Sequence, residues 1–315
     1  MSTDCDTALD VLCVGHASHD LIMTVPHHPA ADEKMVATAL LGCGGGPAAN
    51  AAVAVARLGL RAGWAGYLSR DIYGEAHWAE FRAEGVDTRW IVRGDAPTPL
   101  SVVLVKPDGE RALINYKGNL SPVPASALDF STLTCKTLLF DGHEPELSAP
   151  LLAQARRQRI ATVVDAGSLH RGTEFLMFRV DYLVCSEKFA RQWLGEDDPP
   201  RALQALSGQA AAVVITLGER GLLWKRGSES GSLAAFPVEA VDTTGAGDAF
   251  HAAFAAAVAR NYDWQTLLHY ASAAGAWCCT RLGARPGMPY AEALTQSGKN
   301  FTQDFHPVDD TLIAG

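Results

Sequence analysis

The sequence predicts an α/β protein whose helices cover both faces of a mostly parallel central sheet, with a small β-sheet lid inserted into it. Two observations predict this class. Short apolar runs of strand length alternate with segments of helical spacing along most of the 315 residues, an order typical of a parallel sheet covered by helices. Residues 21–43 and 90–118 interrupt this alternation and indicate additional β structure.

The elements of the core follow in chain order. The first strand is expected at residues 10–15, an apolar run that ends in glycine, and the first helix at the alanine-rich residues 47–58, stopped by Gly59. The same criteria predict helices at residues 73–84 and 149–158 and strands at residues 61–67, 137–140, 160–165, 182–185 and 212–216. With 48% hydrophobic residues, such a chain buries a substantial core.

The inserted segments contain a predicted hairpin. Residues 100–106 and 111–116 flank a turn that holds Pro107 and Gly109. The expected division is a core of residues 1–20, 44–89 and 119–315 and a lid of residues 21–43 and 90–118. Since ligands bind at the carboxyl ends of the strands in an open α/β sheet, we expect the lid to cover a pocket there.

Composition excludes several classes of protein. The formal net charge of −9 is spread along the chain without a Lys/Arg cluster, so nucleic acid is not an expected partner. No window reaches the roughly 18 to 20 apolar residues of a membrane span, and no secretory signal is visible. The seven cysteines are odd in number and lack metal-ligand spacing, which indicates reduced thiols and a cytoplasmic location.

A glycine-containing loop leads into an alanine-rich helix at residues 242–260. Gly245 and Gly247 let the backbone approach a ligand, and the amides of a first helical turn are unpaired and lie at the positive end of the helix dipole. Gly245, Ala246 and Gly247 therefore form a candidate anion hole. Asp248 is either the helix N-cap or, beside a bound phosphate, a base that takes the proton of a substrate hydroxyl. The lysine-containing P-loop pattern is absent.

The stretch DTTGAGDAF at residues 242–250 resembles the C-terminal signature of the ribokinase/PfkB carbohydrate kinase family. The other family signature, a glycine pair before a helix, matches GGGPAAN at residues 44–50. The resemblance implies a ribokinase-like three-layer αβα core with a β lid. It also implies an ATP-dependent kinase that phosphorylates a hydroxymethyl group of a sugar, with Asp248 as the catalytic base.

The resemblance assigns further residues to three groups. Substrate hydroxyls would meet Asp20, Gly45, Gly46 and Asn50. Residues matching the nucleotide side are Ser186, Thr216, Gly218, Gly221, Thr244, Ala274 and Cys278. Asp242 and the turn through Arg281, Gly283 and Arg285 match the neighbourhood of a monovalent cation such as K⁺. Mg²⁺ is implied by the phosphoryl transfer, but it prefers water and phosphate oxygens to a full protein cage.

The family pattern N-x-x-E is replaced here by Ser186-Glu187-Lys188-Phe189. Together with GGGPAA and the hairpin that ends in INY, this departure resembles the sulfofructose kinases within the family, where Lys34 and Asn115 match substrate-holding positions. An arginine expected for a sulfonate is absent, and His143 stands nearby as a donor. The candidate acceptors are 6-deoxy-6-sulfofructose, fructose, fructose phosphates, ribose and 2-keto-3-deoxygluconate.

Two other functions stay open at this point. A nucleoside kinase of the same fold would need an apolar, aromatic pocket for a base. A catalytically silent sugar-binding regulatory protein would have no need to retain a base and an anion hole together. A hydrolase is not supported, because neither a G-x-S-x-G nor an H-E-x-x-H motif is present. The resemblance and the lid further suggest a homodimer formed through the lid.

Overall fold

The computed structural model describes residues 8–298 of the chain, so the expected core assignments of residues 1–7 and 299–315 lie outside the described residues. A large sheet of nine strands has the order β13-β12-β11-β10-β9-β8-β1-β4-β5. Its strands are β1 (Leu9–Val14), β4 (Ala62–Ser69), β5 (Asp87–Gly94), β8 (Cys135–Phe140), β9 (Ala161–Ala166), β10 (Tyr182–Ser186), β11 (Ala212–Thr216), β12 (Leu222–Arg226) and β13 (Glu229–Leu233). The strands from β11 to β5 are parallel, and only β12 and β13 pair in antiparallel fashion.

Helices lie on both faces of this sheet. They are α1 (Pro47–Arg57), α2 (Ile72–Ala83), α3 (Pro145–Gln158), α4 (Arg171–Met177), α5 (Glu187–Leu194), α6 (Pro199–Leu206), α7 (Ala246–Ala259), α8 (Trp264–Cys278), α9 (Ala284–Gly287) and α10 (Ala291–Gly298). One buried core joins the sheet to α1, α2, α7 and α8, and a second joins the other face to α3 through α6. The predicted α/β class with a mostly parallel sheet is confirmed.

Small residues bring α1 and α7 close together at the centre of the first core. α1 begins with Pro47, whose fixed φ suits a first helical turn, and its alanine-rich residues 48–55 are all buried. α7 is also alanine-rich, and ten of its residues are buried. Because alanine combines a high helix propensity with little bulk, both helices can start at the same edge of the sheet. This packing places the two glycine-rich helix starts side by side.

A separate sheet of four strands, here called the small sheet, has the order β3-β2-β6-β7. Its strands are β2 (Ser18–Thr24), β3 (Ala39–Gly45), β6 (Leu100–Val105) and β7 (Arg111–Tyr116). β6 and β7 are the predicted hairpin. Ile22, Val103 and Val105 form the sheet's own buried core, with Leu41 and Leu282 packed against it.

The structure differs from the expected lid boundaries at three places. Gly44 and Gly45, expected in the core, belong to β3 of the small sheet. Residues 90–94 belong to β5, the edge strand of the large sheet, where Trp90 is buried and stacks on Phe130. Residues 18–20, expected in the core, belong to β2 of the small sheet. The division into a core and a lid stays a prediction. Its boundaries change so that each of these strands is counted with the sheet to which it belongs.

No helix within residues 8–298 has the length and apolar character needed to cross a membrane. The six cysteines in this part of the chain are free thiols, and Cys5 lies outside it. The cytoplasmic location stays a prediction.

Candidate active site

A cavity of about 270 Å³ lies between the small sheet and the starts of α1 and α7. Seven residues named from the sequence line it: Asp20, Gly46, Asn50, Asn115, His143, Thr244 and Asp248. The other lining residues are His16, Ser18, Pro47, Pro99, Leu100, Ser101, Tyr116, Lys117 and Ala284. The structure therefore gathers residues from both glycine-rich motifs and from the predicted hairpin around one cavity, whose lining mixes polar and apolar residues.

The start of α7 provides the candidate anion hole. Gly245 is the N-cap and has a left-handed φ of 82°. A Cβ atom at this position would lie 2.5 Å from Cβ of Ala284, so both space and conformation require glycine. Gly247 has open space around its Cα. The amide of Ala246 donates to the carbonyl oxygen of Thr243 at 3.3 Å, and Gly245, Ala246 and Gly247 are not among the residues that line the cavity. Their role as an anion hole at this helix start therefore stays a prediction.

Asp248 is the third residue of α7, and its side chain does not cap the helix, because Gly245 is the N-cap. Its Oδ2 atom instead accepts a hydrogen bond of 2.6 Å from Nδ2 of Asn50. Burial raises the pKa of Asp248, and the Asn50 hydrogen bond and the His251 charge oppose this shift without cancelling it. A carboxylate with a raised pKa, held in place and facing a cavity, suits a general base.

A buried imidazole lies beneath the anion hole. Nδ1 of His251 is 2.6 Å from the carbonyl oxygen of Gly247, and Nε2 is 3.2 Å from that of Val184. Oδ2 of Asp165 lies 3.4 Å from Nδ1. Burial raises the pKa of Asp165 to about 6, against the His251 charge. His251 thus ties the first turn of α7 to the carboxyl ends of β9 and β10, a contact that the sequence reasoning missed.

Asp20 forms the opposite wall of the cavity, on β2. It is buried, and its Oδ1 atom accepts a hydrogen bond of 3.1 Å from Oγ of Ser18. Burial raises the pKa of Asp20, although hydrogen bonds from Ser18 and Ser101 oppose the shift. A Cβ atom at Gly45 would lie 2.4 Å from this carboxylate. Gly45 therefore shapes the site by leaving room for Asp20, without lining the cavity itself.

Asp141 organises a third wall. Its Oδ2 atom accepts hydrogen bonds from the amides of His16 (2.7 Å) and Ala48 (3.2 Å), and Oδ1 accepts one from the amide of His143 (2.9 Å). Burial alone would raise the pKa of Asp141, but the His143 charge and these hydrogen bonds lower it to about 2. Burial by itself would lower the pKa of His143, but the charge and the hydrogen bond of Asp141, with the Asp165 charge, raise it. Asp141 thus fixes three backbone segments of the cavity.

The residues expected on the nucleotide side lie on several elements: Ser186 and Thr216 end β10 and β11, and Thr244 lines the cavity. Ser186 caps α5 by accepting a hydrogen bond from the amide of Phe189, and its register partner is Thr216. Gly218 and Gly221 both have positive φ angles, in the turn before β12. Ala274 and Cys278 are buried on α8, where Sγ of Cys278 lies 3.5 Å from the carbonyl oxygen of Thr244. Their role in nucleotide binding stays a prediction.

Asp242 bridges two loops. Its Oδ1 atom accepts hydrogen bonds from the amide and hydroxyl of Thr244, and Oδ2 accepts one of 2.8 Å from the amide of Gly283. Its predicted role beside a monovalent cation stays a prediction. Within residues 8–298 no group of three or more His, Cys, Asp or Glu side chains is arranged to hold a metal ion.

Besides Gly45, Lys34 is a predicted substrate residue that does not line the cavity. It is exposed in the loop between β2 and β3 and is not among the lining residues. Lys117, which the sequence reasoning did not name, lines the cavity instead. Lys117 directly follows the predicted hairpin, and this position is the sequence signal from which its place at the cavity could have been predicted. Arg285, assigned from the sequence to the cation neighbourhood, is buried and donates to Oδ1 of Asn50.

A glycine-containing helix start, a carboxylate held by Asn50 and a cavity between two sheets are features typical of a small-molecule phosphotransferase. The chain belongs to the pfkB family of carbohydrate kinases, whose family model matches residues 8–291. The resemblance drawn from the two glycine-rich motifs is thereby confirmed at the level of the family.

Individual relatives agree with this assignment. The ribokinase of Bacillus subtilis (strain 168) is 30% identical over 284 residues, which cover 89% of this chain and 96% of the relative. The structure of ribokinase from Thermotoga maritima is similar with a TM-score of 0.82 and 26% identity, covering 93% of this chain and 100% of that one. The adenosine kinase of Sinorhizobium meliloti is similar with a TM-score of 0.79 and 25% identity, covering 93% and 99%. The predicted ribokinase-like fold and carbohydrate kinase class are confirmed.

Proposed function

We propose that this kinase transfers the γ-phosphate of ATP to a hydroxymethyl group of a sugar or sugar-like substrate, with Asp248 as the base. The observation that carries the proposal is the single cavity shared by Asp248, Asp20 and Asn50 beside the first turn of α7. Oδ2 of Asp248 is occupied by Asn50, so Oδ1 is the atom that would accept the proton of the attacking hydroxyl.

The remaining chemistry is positioning and charge stabilisation, which are the main tasks of a protein in phosphoryl transfer. The amides of Gly245, Ala246 and Gly247 would receive the transferred phosphate. Asp20 would hold substrate hydroxyls. Mg²⁺ bound to the ATP phosphates would neutralise their charge, and the absence of a three-ligand cluster within residues 8–298 fits an ion held mainly by phosphates and water.

The walls of the cavity support a polyol rather than a nucleobase. Asp20, Asn50, Asn115 and Lys117 offer hydrogen-bonding groups around much of the cavity. We propose a ketose, with fructose, its phosphates or 6-deoxy-6-sulfofructose as the first candidates. The sulfofructose candidate rests on the sequence departures described above. Lys34, which matches a substrate-holding position, does not line the cavity and therefore adds no support.

A nucleoside kinase is the second candidate, and one observation favours it. The rings of His16 and His143 lie 5.1 Å apart, and those of His143 and His170 lie 4.8 Å apart. Since imidazole rings can stack on a base, this row offers a surface for one. A catalytically silent regulatory protein is less well supported, because Asp248, Asn50 and the glycine loop are all in place.

The test is ADP release from Mg-ATP, measured by an enzyme-linked assay against ketoses, aldoses, sugar acids, sulfofructose and nucleosides. Strong turnover with one ketose supports the proposal. Strong turnover with a nucleoside alone selects the second candidate, and nucleotide binding without turnover on the whole panel favours a silent protein.

We also propose a homodimer formed through the small sheet. Its outer face exposes Leu40, Ile114 and Tyr116, with 65% of Ile114 accessible. Contiguous apolar surface of this kind commonly marks an interface between copies of a chain. Light scattering should give twice the chain mass of 33.5 kDa.

Ile114→Lys should shift that mass toward the monomer, because it places a charge on the proposed interface. Phe178→Lys is the matched control, since Phe178 is an exposed apolar residue at the end of α4, outside the small sheet. A monomeric wild-type mass at working concentration would remove the dimer proposal.

A further inference from the structure

Arg285 is almost fully buried, with 2% of its surface accessible. A guanidinium cannot lose its charge in a protein, so it must be paired when it is buried. Its Nε atom donates to Oδ1 of Asn50 (3.0 Å), and one terminal nitrogen lies 3.1 Å from Nε2 of His77. The other lies 2.7 Å from Oε2 of Glu80 as an ion pair. The side chain thus joins α9 to both α1 and α2.

Glycine at position 44 is required by this arrangement. A Cβ atom there would lie 2.4 Å from Oε2 of Glu80 and 2.8 Å from a terminal nitrogen of Arg285. Gly44 is the first glycine of the GGGPAAN motif, and it does not line the cavity. Its role is to admit the ion pair of Arg285 and Glu80 next to β3.

The hydrogen bond from Arg285 sets the orientation of the Asn50 amide. Arginine has donors only, so the atom of Asn50 that faces Nε must be the oxygen. The nitrogen Nδ2 then points the other way, where it donates to Oδ2 of Asp248 at 2.6 Å. A rotated amide would set two donors against each other at Arg285 and two acceptors at Asp248.

We propose that Arg285 is a positioning residue for the reaction: through Asn50 it holds the carboxylate of Asp248 in one orientation. The role of Asp248 as base is the part of this inference that rests on the proposed function.

The charges around Asp248 agree with this role. Burial raises the pKa of Asp248 and of Asp20, and the Arg285 charge opposes both shifts. Removing this charge should therefore raise the pKa of Asp248 further. The other titratable groups that interact with Asp248 are Asp20, Asp141, Asp165, His251 and Cys278.

The test compares three replacements of Arg285 with the wild-type enzyme on its best acceptor. Arg285→Met removes both charge and donors, Arg285→Gln keeps a donor without the charge, and Arg285→Lys keeps the charge. For Arg285→Met we expect kcat to fall on the order of 10- to 100-fold with a smaller change in KM. We also expect the acidic limb of its kcat profile to move to higher pH. Lysine should keep the limb near that of the wild type, and glutamine should not.

Arg57→Lys is the matched control. Arg57 is a largely buried arginine of α1 that pairs with Glu84 and donates to the carbonyl oxygens of Arg285 and Met288. Its replacement should lower thermal stability without moving the acidic limb. If Arg285→Met behaves in the same way, Arg285 has only a structural role and the proposal is wrong.

A crystal structure of Arg285→Met gives a readout that does not need turnover. We expect the Asn50 amide to leave Oδ2 of Asp248, and an unchanged contact would overturn the proposal. Absence of turnover by the wild-type enzyme on every acceptor would count against the proposed function, whereas an active wild type with unaltered Arg285 variants would count against this inference alone. If Arg285→Met does not fold, the lysine and glutamine variants carry both measurements.

Discussion

Replacing Asp248 with asparagine should lower kcat on the order of 100-fold or more. The amide has nearly the size of the carboxylate, and its oxygen can still accept the hydrogen bond from Asn50. The variant therefore loses the proton acceptor while keeping the geometry of the site. Nucleotide affinity should change little. Steady-state ADP release and equilibrium nucleotide binding measure the two effects separately.

Asp263→Asn is the control for this experiment. Asp263 also stands at a helix start, but it is the N-cap of α8 and accepts a hydrogen bond from the amide of Thr266. Asparagine is an equally good N-cap, so this variant should keep wild-type kcat. Turnover of Asp248→Asn at the level of Asp263→Asn would show that Asp248 is not the base.

Replacing Asp141 with asparagine should give the largest loss of stability among the site variants. The buried carboxylate accepts hydrogen bonds from three backbone amides, those of His16, Ala48 and His143. An amide nitrogen placed there would face donors, and hydrogen bonds to charged groups are worth about 1.5 to 3 kcal/mol each. We expect the free energy of unfolding to fall by about 3 kcal/mol, measured by urea denaturation at pH 7.

The pH dependence of this loss of stability tests whether the ionised carboxylate of Asp141 is its cause. Because the pKa of Asp141 is lowered to about 2 in the folded protein, its stabilising contribution is present above the ordinary carboxyl pKa. It is lost as the pH falls toward 2. The difference between wild type and Asp141→Asn should therefore shrink below about pH 4. Asp129→Asn, at an exposed carboxylate that bonds Ser131, should change stability little. A difference of constant size down to pH 2 would contradict this explanation.

Much of the fold could be predicted because its elements are encoded locally. The hairpin of β6 and β7 follows from two apolar runs around a turn, and α1 and α7 follow from alanine-rich stretches after glycine loops. The lid boundary expected at residue 90 cuts through β5, whose sequence, DTRWIVRG, mixes polar and apolar residues as an edge strand does. Which sheet such a strand joins depends on partners far away in the sequence.

The same distinction applies to the site. Gly245, Ala246, Gly247 and Asp248 are contiguous, so their joint role could be inferred from one motif. The contact between Arg285 and Asn50 spans 235 positions, and that between Asp141 and His16 spans 125. No sequence pattern indicates such pairs before the chain is folded. Lys34 shows the converse: a residue that matches a family position in the sequence can still lie in an exposed loop away from the cavity.

The most direct test of the central claim is to identify the product of the best acceptor. Wild-type enzyme, Mg-ATP and that acceptor should yield one phosphomonoester, detected by mass and by phosphorus NMR, in a 1:1 ratio with ADP. Asp248→Asn should form it at least on the order of 100-fold more slowly. ADP accompanied only by inorganic phosphate, or equal product formation by the variant, would contradict a sugar kinase that uses Asp248 as its base.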